Sequence, residues 1–168
     1  MIFHGVFLCL TGKARILPVD SGLRRCYYLS NKHSKTVGLT KHEAAQICLQ
    51  EGHGILGDAH AGNWHRQVSL LGMESVEKVK AVLPDLAPGA FAENILTSGL
   101  TLYSLPVGTK IRVGEAILEI TQIGKECHQG CAIRRLTGDC VMPREGVFAV
   151  VLKGGTVRKG DEIALVPA

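Results

Sequence analysis

With 168 residues and a 46% hydrophobic share, the chain is long enough to close one buried core and short for two. Its formal charge of +4, from 19 basic and 15 acidic residues, is spread without a Lys/Arg block, which argues against nucleic acid and suits a small anionic ligand better. The six cysteines do not suggest a disulfide framework: Cys9, Cys26 and Cys48 lie far apart in apolar contexts, and a chain of this size needs no staples, so a reducing cytoplasm is expected.

In chain order, Met1 to Leu10 is apolar, but no basic residue precedes the run, no small-x-small site follows it, and it falls far short of the ~20 residues that span a bilayer. Residues 1–22 are therefore read as an extension, an extra edge strand or a poorly ordered tail outside one domain spanning 23–168, with no membrane partner. Arg24 to Leu29 carries the β-prone aromatics of a strand, and Ser30 to Lys35 reads as a loop. Thr40 to Leu49 fits either a helix, with Thr40 as N-cap and Glu43 closing a capping box, or a strand entering a loop. From Glu51 to Gly62, glycines 52, 54, 57 and 62 interleave with His53, Asp58 and His60, a pattern of unusual backbone angles typical of site-lining loops. Gln67 to Leu71 reads as a short strand. Met73 to Leu83 reads as a helix that packs through Val76, Val79, Val82 and Leu83 and ends at Pro84.

After Pro88-Gly89, short segments at 92–96, 110–113, 116–122, 147–152 and 162–166 are separated by turn signals at Val107-Gly108, Val113-Gly114, Gly154-Gly155 and Lys159-Gly160-Asp161. Ile111 to Ile120 reads as a hairpin turning at Gly114-Glu115. Evenly spaced short strands with little helix predict a mostly β fold, a closed or partly open β-barrel with one or two short helices.

The chemistry concentrates in Gly124-Lys125-Glu126-Cys127-His128-Gln129-Gly130-Cys131, followed by Arg134, Arg135, Cys140 and Arg144. A thiol acts as nucleophile or soft-metal ligand only as thiolate, and Lys125 and His128 favour that form, which suggests sulfur or soft-metal chemistry at Cys127 and Cys131. The plainer readings are an inert buried thiol at Cys127 and core packing of Cys131 beside Ala132 and Ile133. Cys140 either supplies a third thiol or packs. A zinc site drawing on these residues and His60 competes, although the usual Cys-x2-Cys pairing is missing.

The ordered set of motifs is more specific than any one of them. Gly54-Ile-Leu-Gly57-Asp58-Ala59-His60-Ala61-Gly62 is followed by Arg66-Gln67-Val68-Ser69-Leu70. Next come Gly89-Ala90-Phe91-Ala92-Glu93-Asn94-Ile95 and Val107-Gly108-Thr109 running into Val113-Gly114. The set closes with Cys127, Cys131, Pro143-Arg144-Glu145-Gly146-Val147-Phe148 and Lys159-Gly160-Asp161. Over residues 24–166 this resembles the MOSC family, named for the C-terminal domain of molybdenum cofactor sulfurase, in its short stand-alone form. The resemblance implies a barrel akin to the small barrel domain of pyruvate kinase. It also implies binding of the molybdenum cofactor, a pterin bearing a phosphate and a dithiolene-held metal, or handling of sulfur for metal–sulfur centres. Full sulfurases carry a separate pyridoxal-phosphate domain that releases sulfur from cysteine. This chain has no length for that site, so a cysteine desulfurase-type partner is expected to load the sulfur, and the cofactor or a molybdoenzyme to receive it. Amidoxime-reducing relatives hold molybdenum through a cysteine in a Cys-x-x-Cys setting. Here the spacing is Cys127-x-x-x-Cys131, and either residue fits.

Against that expectation, the Gly57-Asp58-x-His60-x-Gly62 loop offers backbone N–H groups to phosphate or pterin, with His60 donating a further hydrogen bond; otherwise it is a tight loop in which Asp58 satisfies its own turn. Arg66 and Arg144 are the cations of choice for the phosphate, because a planar guanidinium matches two oxygens, and surface salt bridging is the alternative for each. Asn94 offers a donor and an acceptor to a pterin edge, with Glu93 orienting a neighbouring arginine. His53, Trp64 and His65 are read as rim or core. A persulfide carrier, a non-catalytic cofactor carrier and a zinc-stabilised barrel are the three functions this pattern permits.

Overall fold

The computed structural model describes residues 24–31, 42–126 and 132–167. Eleven strands are formed: β1 (Arg25–Asn31), β2 (His42–Glu43), β3 (Gln46–Gln50), β4 (Gly54–Ile55), β5 (Val68–Gly72), β6 (Ile95–Ser98), β7 (Lys110–Val113), β8 (Ala116–Ile123), β9 (Val147–Lys153), β10 (Gly155–Arg158) and β11 (Ile163–Leu165). Three short helices accompany them, α1 (Met73–Lys80), α2 (Ala132–Thr137) and α3 (Met142–Glu145), with a 3-10 turn at Leu102–Ser104.

The main sheet runs β11-β7-β8-β9-β5-β6-β1-β2, and β10-β3-β4 forms a smaller sheet. The ends of the main sheet meet: Arg25 bridges Glu162, the Cys26 N–H donates to the Asp161 carbonyl at 2.9 Å, and the Gly160 N–H donates to the Cys26 carbonyl at 2.8 Å. Leaving out the two-residue β2, seven strands make a nearly closed barrel, which removes the open edges that a flat sheet would expose. The expected mostly β barrel is therefore present, with three short α-helices where one or two are expected.

Alternation explains why these segments pair. In β7, and in β8 as far as Ile120, every second residue is buried, so Ile111, Val113, Leu118 and Ile120 all point into the barrel. The turn between them needs Gly114: its φ is +56°, and a Cβ there would run into the Asp161 carboxylate. Strand β5 is buried along its whole length because it serves two cores. Leu70 fills the barrel, while Leu71 faces an outer cluster with Val76, Val79, Phe91, Leu96 and Cys140. Each such leucine contributes about 2 kcal/mol on burial. Strands β5 and β6 pair in parallel, which requires a crossover, and α1 lies in it.

Of the two readings open for Thr40 to Leu49, the described residues take the strand: His42–Glu43 and Gln46–Gln50 form β2 and β3, with Ile47 and Leu49 buried on one face. Two segments differ from expectation. Helix α1 stops at Lys80, so Val82 lies beyond its last turn, 63% exposed, and does not pack. Gly155 opens strand β10 instead of continuing a turn, pressed so close to Glu115 that a Cβ would meet its backbone. Residues 1–22 lie outside the described residues. No described helix is long and apolar enough to cross a membrane.

Candidate functional site

The glycine-rich loop leaves the short β4 and returns at β5. Gly54, Gly57 and Gly62 hold positive φ values of 111°, 82° and 158°, and Gly54 sits against the Gln67 carbonyl, where a Cβ would come within 2.9 Å. Only glycine meets both demands cheaply. The loop is tied down by Asp58, whose side chain is 1% exposed. One carboxylate oxygen accepts the His60 backbone N–H at 2.8 Å and lies 3.3 Å from His60 Nδ1. The other accepts Asn94 Nδ2–H at 3.0 Å.

Asn94 is itself 2% exposed, and its Oδ1 accepts the Ser69 backbone N–H at 3.0 Å and the Ser69 hydroxyl at 2.8 Å. Its amide thus stands beneath the loop and joins Asp58 to strand β5. Its neighbour Glu93 is fully buried, with one oxygen accepting from the Gly89 N–H at 2.7 Å and the other from the Phe91 N–H at 3.1 Å. That carboxylate closes the turn in which Ala92 takes a φ of +61°.

Arg66 follows the loop and lies among aromatic rings. Its Cζ is 4.9 Å from the Trp64 ring centre and 5.8 Å from that of Phe148, while Trp64 is anchored by its indole N–H donating to the His60 carbonyl at 2.8 Å. Arg66 Nε is buried without a hydrogen-bond partner, and no ion pair joins Arg66 to a described carboxylate. The rings hold the guanidinium plane, but they do not satisfy its N–H groups, and an unpaired buried donor costs about 1–3 kcal/mol until an acceptor arrives. Beside Trp64 opens a hollow of about 530 Å³, lined by Glu51, Asn63, Trp64, His65, Val150 and Leu152 among others.

His65 and Gln122 carry a connection that the sequence does not reveal. His65 Nε2 is 3.0 Å from Gln122 Oε1, and Gln122 Nε2 donates to the Gly124 carbonyl at 2.6 Å. The Thr121 hydroxyl lies against the carbonyls of His65 and Phe148. The loop bearing Arg66 is thereby joined to the end of β8, where Lys125 is exposed. Cys127, His128 and Cys131 lie outside the described residues.

Arg144 has a different environment. Its two terminal nitrogens donate to the Asp139 carboxylate at 2.9 and 2.5 Å, with more than half of each side chain exposed. The Arg144 fork, with the Cys140 N–H adding to it, holds the Asp139 carboxyl down at about 2. Cys140 packs in the outer core at 4% exposure. Cys26 is buried too, and burial, with the Asp161 carboxylate adding to it, pushes its thiol far above the ordinary range, so it stays protonated and inert. Among the described residues no three or more His, Cys, Asp or Glu side chains gather as metal ligands.

The geometry defines a small β-barrel domain with a glycine-rich loop that carries a cation at its mouth. The MOSC domain family model matches residues 57–164, and the chain belongs to the MOSC family. That family is linked to binding of the molybdenum cofactor. Among solved structures, the chain is similar to the YuaD protein from Bacillus subtilis, with a TM-score of 0.70 at 22% identity over 83% of this chain and 93% of that one. It is also similar to YiiM from Geobacillus stearothermophilus, with a TM-score of 0.62 at 19% identity over 86% and 75% of the two chains. For YiiM from Escherichia coli the TM-score is 0.57 at 20% identity, over 86% and 69%. At these identities the likeness is one of fold. No curated protein matches the chain.

Proposed function

We propose that this chain binds the molybdenum cofactor at the mouth formed by the glycine-rich loop and Arg66, and that it carries sulfane sulfur on Cys127 or Cys131 for a metal–sulfur centre. The observation that supports the first part is the buried Arg66 Nε without a partner, on a guanidinium held by Trp64 and Phe148. A phosphate-bearing pterin supplies the missing acceptor, and two of its oxygens match the guanidinium plane. Bound there, the cofactor contributes a dithiolene-held metal. The chain's own residues bind and orient: Arg66 takes the phosphate, Asp58 and Asn94 fix the loop from below, and Lys125 adds a positive charge at the exit of β8. Arg144 is a weaker candidate, because Asp139 already occupies its fork.

The sulfur step needs only thiolate chemistry. The acceptor cysteine thiolate attacks the outer sulfur of a partner's Cys–S–SH, the partner's S–S bond breaks, its thiolate leaves, and the acceptor becomes Cys–S–SH with the proton retained on the outer sulfur. Lys125 and His128 keep the acceptor ionised. A cysteine desulfurase in the cytoplasm is the fitting donor, and the cofactor or a molybdoenzyme the fitting recipient.

The test is mass spectrometry after incubation with a cysteine desulfurase and cysteine, on wild-type chain and on Cys127→Ser and Cys131→Ser. A sulfur-sized increment lost in one variant supports the carrier of sulfur. Cofactor binding with no increment on any thiol reduces the chain to a carrier of the cofactor alone.

A further inference from the structure

We propose that Asp58 fixes His60 in its Nδ1–H tautomer, so that the mouth offers a hydrogen-bond acceptor at His60 Nε2 and a cation at Arg66. It would thereby select a ligand that has both an N–H-bearing ring edge and an anionic group. An ionised carboxylate only accepts hydrogen bonds. Asp58 Oδ1 faces His60 Nδ1 at 3.3 Å, so a proton on Nδ1 makes this contact favourable, whereas the other tautomer sets two lone pairs against each other. The carboxylate has little freedom to turn away, because its second oxygen is held by Asn94 Nδ2 and Asn94 is held by Ser69 of β5. A barrel strand thus sets the protonation pattern of a half-exposed imidazole, as outer partners do for many functional histidines.

The neutral ring therefore accepts at Nε2, where the sequence suggests a donor to phosphate. An anion is repelled by that lone pair and directed to Arg66, while a ring N–H is drawn to His60. Trp64 ties the two residues together, its indole N–H donating to the His60 backbone carbonyl and its ring stacked on Arg66. The identity of the ligand as a pterin phosphate rests on the cofactor reading above; the tautomer does not.

Two measurements test this on the full chain. In the first, 15N–1H NMR with labelled histidine, at a pH where the ring is neutral, should show His60 protonated on Nδ1 and bare on Nε2. Asp58→Asn should weaken that preference. A wild-type spectrum with the proton on Nε2 overturns the proposal, and it decides even if the variant fails to fold. In the second, Trp64, the single tryptophan, reports titrations with pterin and with inorganic phosphate. His60→Phe should weaken pterin about ten-fold and leave phosphate within about two-fold. Equal loss of both, or no loss of pterin, overturns the selectivity. If wild-type chain binds neither probe, the cofactor reading and the ligand half of this inference both fail, and the spectrum alone judges Asp58.

Discussion

The loop from Gly57 to Arg66 and the segment from Asp139 to Gly146 each bring a guanidinium to the rim of the barrel, in opposite states. Arg144 has a carboxylate in its fork and solvent around both partners. Arg66 has aromatic rings around it and a buried nitrogen without a partner. The carboxylate on its own loop, Asp58, points inward to His60 and Asn94. Availability is thus decided by where the local carboxylates are anchored, and the same residue type serves as a strut in one segment and as a receptor in the other.

The largest effect expected from breaking this arrangement is Asp58→Ala, which removes the carboxylate that accepts the His60 backbone N–H and the Asn94 amide N–H. We expect a loss of about 3 kcal/mol in urea unfolding; a change below about 1 kcal/mol would show the loop to be independent of β5. Next is Gly124→Ala, which links the two regions. Gly124 has a φ of +75°, a Cβ there meets the Pro143 carbonyl, and its N–H donates to the Gly146 carbonyl at 2.7 Å. A loss of about 2 kcal/mol is expected in the same assay, with crowding relieved only if the Pro143 segment shifts.

The smallest effect is at the strut itself. The folded Asp139 carboxyl is held below its ordinary value of 3.8, at about 2, so what the pair contributes is present above the unfolded value and lost as pH falls through the folded one. Carboxyl NMR should place the Asp139 midpoint near 2 in wild-type chain and closer to 3.8 in Arg144→Ala. Because the pair is solvent-exposed, melting at neutral pH should barely change.

The sequence revealed more of the barrel than of the mouth. Lys110–Val113 and Ala116–Ile123 are legible because alternating apolar residues flank a glycine turn, a local signal. Strand β10 is not: Gly154-Gly155 resembles a turn, and Thr156 and Val157 are buried through segments distant in sequence, β3 alongside and Glu115 hydrogen-bonded to Thr156. Asp58 as the member that satisfies its own turn is readable from its position beside glycine, and the structure agrees. Asn94 beneath the loop is not readable, since its partners Asp58 and Ser69 come from distant segments. The same holds for His65 and Gln122, separated by 57 positions. Trp64 read as rim or core is a wall of the hollow, 37% exposed, and its stacking on Arg66 appears only once the chain between them turns.

The central claim is that Arg66, and not Arg144, receives the anionic end of the ligand. Trp64 fluorescence can follow titration of the full chain with the molybdenum cofactor under anaerobic conditions, using inorganic phosphate as competitor, in wild type, Arg66→Ala and Arg144→Ala. The account predicts that Arg66→Ala weakens binding about thirty-fold and abolishes competition by phosphate, while Arg144→Ala stays within about three-fold. Full affinity in Arg66→Ala together with loss in Arg144→Ala would contradict it.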